Sequence, residues 1–258
     1  MSRLVLAAAA IAFLVTPAPA LAQGFYGPFQ PQEDYGAGIT VSGAGFAPLG
    51  HRDRATARAV GDARRRAEAI AAELGVSVGE ARAIELSTPF DPRPACVHKH
   101  TGRCAQLDAL SAVVTFAIAG GPTSDDDARE VEGSGNAFDR VEVERQTSPA
   151  IRRALRAMRL DLSPAAARAA RSNAEAAAGA SGIPLGQLFS VVEPSAAVYG
   201  YDPTLGNFGP GQFCGMVRRV TGHRDPETGE FHVIRHKPVR RCYKPRVAVQ
   251  LELTYLGG

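Results

Sequence analysis

The sequence predicts an α+β protein made of two β-α-β-β repeats that form an antiparallel sheet with the helices packed on one face. Residues 63–86 and 170–193 share one layout: an alanine-rich helix, a glycine, a short connection with a second glycine, and a β-branched strand. Alternating apolar segments lie before and after both stretches. Four cysteines flank turn sequences, which predicts disulfide-bridged hairpins inserted between strands.

Residues 1–22 are a predicted signal peptide. Arg3 precedes an apolar run, and a small-residue cleavage site follows at residues 20–22. We therefore expect a periplasmic or secreted protein that has no transmembrane segment once the signal is removed. Residues 23–38 are rich in Gly, Pro and Gln, which predicts a flexible leader.

Repeat one is predicted at residues 39–119. Gly43 and Gly45 lie on one face of its first strand, which indicates that a helix approaches the backbone there. Asp53 is the predicted N-cap of the following helix, and Gly75 is its predicted left-handed stop. The predicted elements are strand 39–46, helix 53–74, strand 81–88 and strand 110–118.

The first helix has one apolar face. Its stripe of small and apolar residues recurs at helical spacing, which predicts close packing on the sheet. The stripe consists of Ala59, Ala63, Ala67, Ile70 and Leu74. Four arginines fall largely off this stripe and are predicted to form a solvated face. They are Arg58, Arg64, Arg65 and Arg66.

Repeat two is predicted at residues 136–258, after an acidic and glycine-rich linker at residues 120–135. Ser163 and Pro164 are the predicted start of its long helix, and Gly182 is the predicted stop. The predicted elements are strand 136–145, a short helix to about residue 160, the long helix, strand 188–193 and strand 247–255.

The cysteines predict two local disulfides. Cys96 and Cys104 flank a turn, as do Cys214 and Cys242, so folding each segment as a hairpin brings its two cysteines opposite one another. This nearest-neighbour pairing is favoured over the other two connectivities. A metal site is the alternative for the first pair, with His98 and His100 as further ligands, although the spacing is not a standard zinc pattern.

The hairpin between Cys214 and Cys242 is strongly basic. One interpretation is a patch for an anionic surface such as phospholipid or acidic polysaccharide. The other is a solvated arm whose charges prevent edge pairing. The predicted anion-binding residues are Arg218, Arg219, Arg235, Lys237, Arg240 and Arg241.

The sequence lacks three common motifs of catalytic and nucleotide-binding sites. The chain has no G-x-S-x-G nucleophile elbow, no phosphate-binding P-loop and no His-Glu-x-x-His zinc motif. The formal net charge of +3 does not imply nucleic acid as a partner. We therefore predict no enzymatic activity, no cofactor and no catalytic residue.

Two stretches resemble the SIMPL domain family of exported bacterial proteins, which includes periplasmic immunogenic and oxidative-stress-linked members. The first is Ile-Thr-Val-Ser-Gly-Ala-Gly at residues 39–45, followed by the alanine-rich helix. The second runs from the Ala-x-x-x-Ala-Glu pattern to residues 182–193, with a final alternating strand. The chain departs from the family in its cysteine-bridged hairpins. The resemblance implies a SIMPL-like domain at residues 39–258 that forms homo-oligomers and is connected to the cell envelope or stress.

Three functional hypotheses follow. The first is a non-enzymatic envelope protein, involved in the envelope or in oxidative stress, that acts through self-assembly or partner binding. The second is a binding module for anionic lipid or polysaccharide that uses the basic hairpin. The third is a metal-binding or hydrolytic protein that uses the Cys/His cluster.

Overall fold

The computed structural model describes residues 37–87, 107–122, 129–194, 205–206 and 208–257. They form a mixed α and β structure with two long helices. The elements, in chain order, are β1 (Gly38–Pro48), α1 (Arg52–Leu74), β2 (Val78–Ser87), β3 (Leu107–Ile118), β4 (Glu130–Arg140), α2 (Ser148–Ser181), β5 (Leu185–Val192), β6 (Leu205–Gly206), β7 (Gly209–Pro210), β8 (Cys214–Arg224), β9 (Phe231–Cys242) and β10 (Arg246–Gly257).

The main sheet has six strands in the order β2-β3-β1-β5-β10-β4. Four of its joints are antiparallel. The central joint is parallel and short, running from Gly38 opposite Ser190 to Thr40 opposite Val192. The expectation of an antiparallel sheet is therefore wrong at this joint, and the sheet is mixed. The two halves, β2-β3-β1 and β5-β10-β4, enter the sheet in the same orientation, so the strands that meet between them run the same way.

Both helices contribute to one hydrophobic core. Helix α1 packs on β1 and β3, helix α2 packs on β4 and β10, and the two helices contact each other. A single buried cluster contains the alanine stripes of both helices and apolar side chains of the main sheet. None of the helices described is long and apolar enough to cross a membrane.

Small residues set the distance between α1 and the sheet. A Cβ atom added to Gly43 would lie 2.0 Å from the carbonyl oxygen of Ala59, and one added to Gly45 would lie 1.8 Å from that of Ala55. Any side chain at these positions would push the helix away, since real Cβ atoms do not approach so closely. The predicted helix approach to this face is confirmed.

Helix α2 is longer than the sequence predicts. It runs unbroken for 34 residues from Ser148, with Thr147 as its N-cap and Pro164 in its interior, so the predicted start at Ser163 is wrong. Proline removes one helical hydrogen bond, but the helix continues through Pro164, and its preceding turns are packed. Ile151 and Leu155 are fully buried there against other elements.

Helix ends and strand bounds bear out some predictions and correct others. Gly75 and Gly182 end the two helices with φ of 75° and 67°, as predicted. Helix α1 begins at Arg52, after His51, so Asp53 lies in its first turn and is not the N-cap. The fourth strand begins at Glu130, inside the segment predicted as linker, because its glycines face α2 and do not form a turn.

The basic hairpin, residues 214–242, is a separate two-stranded sheet made of β8 and β9. Cys214 lies opposite Cys242 and forms the predicted disulfide with it, with Cα atoms 4.0 Å apart. The tip is the predicted turn, in which Asp225 N–H donates to the carbonyl oxygen of Glu230. The hairpin base joins α2, since Ser148 Oγ accepts from the backbone N–H of Cys214.

Candidate functional site

The sheet forks where β5 ends at Val192. Beyond this point, β1 continues to Pro48 and β10 pairs only with β4, so no described strand lies between them. One edge of β1 therefore loses its strand partner inside the protein. Buried N–H and C=O groups need partners, and a strand edge left without them costs free energy. Charged side chains fill the fork, and we call Ser42, Arg66, Arg159, Ser163 and Glu193 the fork cluster.

Glu193 takes the place of the missing strand. Its Oε2 accepts from the backbone N–H of Ser42 at 2.8 Å and from the Ser42 hydroxyl at 2.7 Å. Its own N–H donates to the carbonyl oxygen of Thr40 at 2.9 Å. The backbone of Glu193 thus extends the pairing of β5 with β1 by one residue. Its carboxylate then accepts the next backbone N–H of β1 that would otherwise lack a strand partner, which is the N–H of Ser42.

Arg66 is fully buried and binds this carboxylate with two nitrogens. Nη2 lies 2.6 Å from Oε1 of Glu193 and Nη1 lies 2.8 Å from Oε2. Nη1 also donates to the carbonyl oxygen of Ser42, and Nε donates to Ser163 Oγ at 3.0 Å. This planar two-point pairing is the geometry that arginine provides and lysine does not.

Helix α2 supplies the second arginine of the fork cluster. Arg159 Nη2 donates to the Ser42 hydroxyl at 2.6 Å and lies 3.5 Å from Oε1 of Glu193. The Ser163 hydroxyl donates to the carbonyl oxygen of Arg159 at 2.6 Å. Both helices, β1 and the end of β5 thus meet at one carboxylate.

A row of α1 side chains lines the open edge of β1. Arg58, Asp62 and Arg66 recur every fourth residue, beside the alanine stripe. Asp62 Oδ2 accepts from the backbone N–H of Ala44 at 3.1 Å, and Arg58 donates to the carbonyl oxygen of Phe46. The prediction of a solvated arginine face is wrong for Arg66, whereas Arg58, Arg64 and Arg65 are exposed as predicted. The four-residue spacing of charges beside the stripe is the signal that could have identified the row.

The fork cluster keeps Glu193 ionised. Burial by itself raises the pKa of the carboxyl, but the charges of Arg66 and Arg159 and the hydrogen bonds from Arg66 and Ser42 outweigh it and lower the pKa to about 2. The cluster is closed to solvent, with 2% exposure of the Glu193 side chain and none of Arg66. A buried ion pair of this kind holds together the elements that supply its side chains.

The basic hairpin places positive charges opposite one another. Arg219 lies opposite Lys237 in the register, and both are exposed. Like charges in directly opposed positions destabilise a strand pair. Arg240 and Arg241 are also exposed on β9, whereas the side chains of Arg218 and Arg235 lie outside the described part of the structure.

The predicted Cys/His cluster cannot be placed. Cys96, His98, His100 and Cys104 all lie outside the described residues. Within the described ranges, the structure brings together no group of three or more His, Cys, Asp or Glu side chains that could hold a metal ion.

The outermost strands of the main sheet expose apolar side chains. Ile84 and Leu86 on β2 are 51% and 44% exposed, and Phe138 on β4 is 82% exposed. Neither strand has a second strand partner among the described residues. Such edges are templates for pairing with another chain.

Comparison with protein families gives a match in the first part of the chain. Residues 34–124 match the family model SIMPL, described as a protein of unknown function (DUF541). The resemblance predicted from the sequence is thereby confirmed over a range that holds β1, α1, β2 and β3. No curated protein matches the chain, and no solved structure does.

Proposed function

We propose that this chain is a non-enzymatic, exported envelope protein of the SIMPL type that acts through self-assembly or partner binding. The exposed edge of β2 is the observation that carries the proposal. It combines a strand edge that has no second strand partner among the described residues with the exposed Ile84 and Leu86, in a molecule whose central charged cluster is buried. A role in the envelope or in oxidative stress rests on the family resemblance.

The mass of the mature protein in solution tests self-assembly. We expect sedimentation or native mass spectrometry of the chain from Gln23 onward to give a mass above one copy. Ile84→Lys should shift the mass toward the monomer, because a charge would then lie on the pairing edge. Leu49→Lys is the matched control, since Leu49 is 58% exposed but follows the end of β1. A wild-type monomer at all concentrations would exclude self-assembly.

Fractionation of expressing cells tests export. The mature protein should appear in the periplasm or medium with an N-terminus near Gln23. A cytoplasmic protein that still carries residues 1–22 would contradict the proposal.

We also infer that the two halves of the main sheet are copies of one β-α-β-β unit. Gly43 lies against Ala59 O and Ala63 N of α1. Gly135 lies in the same way against Ala166 O and Ala170 N of α2. The two helices also bond the strands alike. Arg66 donates to the carbonyl oxygen of Ser42, and Asn173 donates to that of Ser134.

Overpacking tests this equivalence. Ala63→Leu and Ala170→Leu should each lower the free energy of unfolding by about 1–3 kcal/mol, because both alanines lie against strand backbone. Ala72→Leu on the exposed face of α1 should change it little. A large difference between the first two losses would argue against equivalent packing.

Binding of an anionic surface by the basic hairpin is the second candidate function. The opposition of Arg219 and Lys237 favours it, since a bound anion would relieve their repulsion. We expect retention on heparin resin or anionic vesicles at low salt, and loss of retention as salt screens the charges over about 10 Å at 0.1 M.

A matched pair of variants isolates the hairpin. Replacing four hairpin residues with Ser should weaken retention, whereas removing four exposed arginines of α1 should not. The hairpin set is Arg219, Lys237, Arg240 and Arg241, and the control set is Arg52, Arg54, Arg64 and Arg65. Equal losses in the two variants would show that net charge alone is responsible.

A further inference from the structure

We propose that copies of this chain join head to tail, with β4 of one copy pairing in parallel with β2 of the next. The joint would repeat the β1–β5 joint that lies inside each chain. This inference rests on the proposed self-assembly and on the equivalence of the two halves, and it names the surfaces and the register.

The internal joint is the template. Three residue pairs form it, from Gly38 with Ser190 to Thr40 with Val192. One further backbone bond, from Glu193 N–H to Thr40 O, closes it. At this joint β1, the last strand of the first half (β2-β3-β1), meets β5, the first strand of the second half (β5-β10-β4). The strands that remain at the outer edges are β2 and β4, the corresponding first and last strands.

Strand registers fix which residues correspond in β2 and β5. Ala83 lies opposite Thr115, and Glu85 lies opposite Val113 on β3. The pairing of β5 with β10 follows the same pattern, in which Ser190 lies opposite Thr254 and Val192 lies opposite Glu252. Ala83 thus corresponds to Ser190, and Glu85 corresponds to Val192.

Helix contacts fix the correspondence of β1 and β4. Since Ser42 and Ser134 both accept a hydrogen bond from the adjacent helix, Thr40 corresponds to Glu132. Transferring the template then gives a specific parallel register. The pairs are Glu130 with Ala83, Val131 with Ile84, and Glu132 with Glu85.

The exposure of Ile84 agrees with this register. Ile84 corresponds to Val191, which is fully buried in the internal joint, yet Ile84 is 51% exposed at the outer edge. Pairing with β4 of another copy would place Ile84 beside Val131, which is already 4% exposed and part of the core. The joint would therefore extend the core from one copy to the next.

The contact is heterologous, because two different strands meet. A joined pair still presents one β2 strand and one β4 strand at its ends, so addition continues until a ring closes or a filament grows. Glu132 and Glu85, both exposed in a single chain, would lie opposite each other in the joint. Their repulsion weakens the contact, which makes the charge at this pair a sensitive probe of the register.

Cysteine cross-linking tests the register directly. Glu85→Cys protein and Glu132→Cys protein, mixed and oxidised, should form a covalent dimer, whereas each variant alone should form none. The wild type controls for native cysteines. A mixture of Glu80→Cys with Glu132→Cys controls for the register and should form no dimer.

Charge reversal provides a second readout that does not depend on cross-linking. Glu85→Lys should tighten assembly by about two- to fivefold, since an opposite-charge pair replaces a like-charge pair. Adding Glu132→Lys should return the dissociation constant toward that of the wild type. The measurement is sedimentation equilibrium at low salt.

The outcomes separate this inference from the function on which it rests. A wild-type monomer would exclude both self-assembly and this joint. An oligomer whose Glu85→Cys variant cross-links to itself would show that two β2 strands pair, and an oligomer whose mixture forms no dimer would show another contact. Either result would overturn the head-to-tail joint while self-assembly stands.

Discussion

Removing the charge of Glu193 is the sharpest test of the fork cluster. Glu193→Gln keeps the size of the side chain but leaves Arg66 buried without the carboxylate that it binds with two nitrogens, and it removes the negative charge 3.5 Å from Arg159 Nη2. The Gln amide can replace some hydrogen bonds to Ser42, but its NH₂ group cannot accept from Arg66 Nη1 or Nη2, which now lie 2.8 and 2.6 Å from the two oxygens. Breaking a buried ion pair by removing one partner costs about 3–5 kcal/mol.

The free energy of unfolding can be measured by urea denaturation with circular dichroism, because the chain has no tryptophan for fluorescence. Glu68→Gln is the matched control, since Glu68 pairs with Arg64 at 2.9 Å with about half of each side chain exposed. Its loss should be about 0.3–0.5 kcal/mol. Similar losses for the two variants would refute the argument that burial makes Glu193 important.

A double-mutant cycle separates the pair from its surroundings. Arg66→Met alone leaves Glu193 without its two-point partner, and Glu193→Gln alone leaves the buried Arg66 guanidinium without its carboxylate. The double variant should lose less stability than the sum of the single losses, because each change removes the unpaired charge created by the other. Additive losses would show that the two side chains do not interact.

Two further predictions concern pH and close packing. The carboxyl of Glu193 has a lowered pKa of about 2 in the folded state. Its stabilising contribution is therefore complete at neutral pH and is lost as the pH falls from about 4.5 toward about 2. The urea midpoint should fall more steeply over this pH range for the wild type than for Glu193→Gln. Gly43→Ala should destabilise the fold by several kcal/mol, since its Cβ would lie 2.0 Å from Ala59 O. Gly179→Ala in α2 should stabilise the fold by about 0.4–1 kcal/mol, because no heavy atom lies within 4 Å of the added Cβ. Equal effects of the two variants on urea unfolding would contradict the contact between Gly43 and α1.

Local sequence patterns determined much of this fold. The alanine stripe of α1 and the glycines of β1 indicated a close helix–strand contact, and the structure has it. Gly75 and Gly182 marked the helix ends, because a left-handed residue there favours glycine. The basic hairpin and its disulfide followed from two cysteines placed symmetrically about a turn. In each case the signal and the structure lie in the same short segment.

Other features depended on the tertiary structure. Helix α2 passes through Pro164 because distant residues pack on its first turns, and β4 begins early because its glycines face a helix that the glycine-rich composition does not reveal. The parallel joint of β1 and β5 depends on the relative orientation of the two halves, which no local pattern encodes.

The fork cluster is the clearest example of a feature that the sequence alone did not predict. Arg66 and Glu193 are separated by 127 residues, and an arginine among other arginines on a helix resembles a solvated residue. Its burial follows from a strand edge that loses its partner when β5 ends, and that edge exists only after the sheet has formed. The sequence alone determined which helices and strands can form, and the tertiary structure decided which charges lie inside, because burial depends on what packs around each side chain.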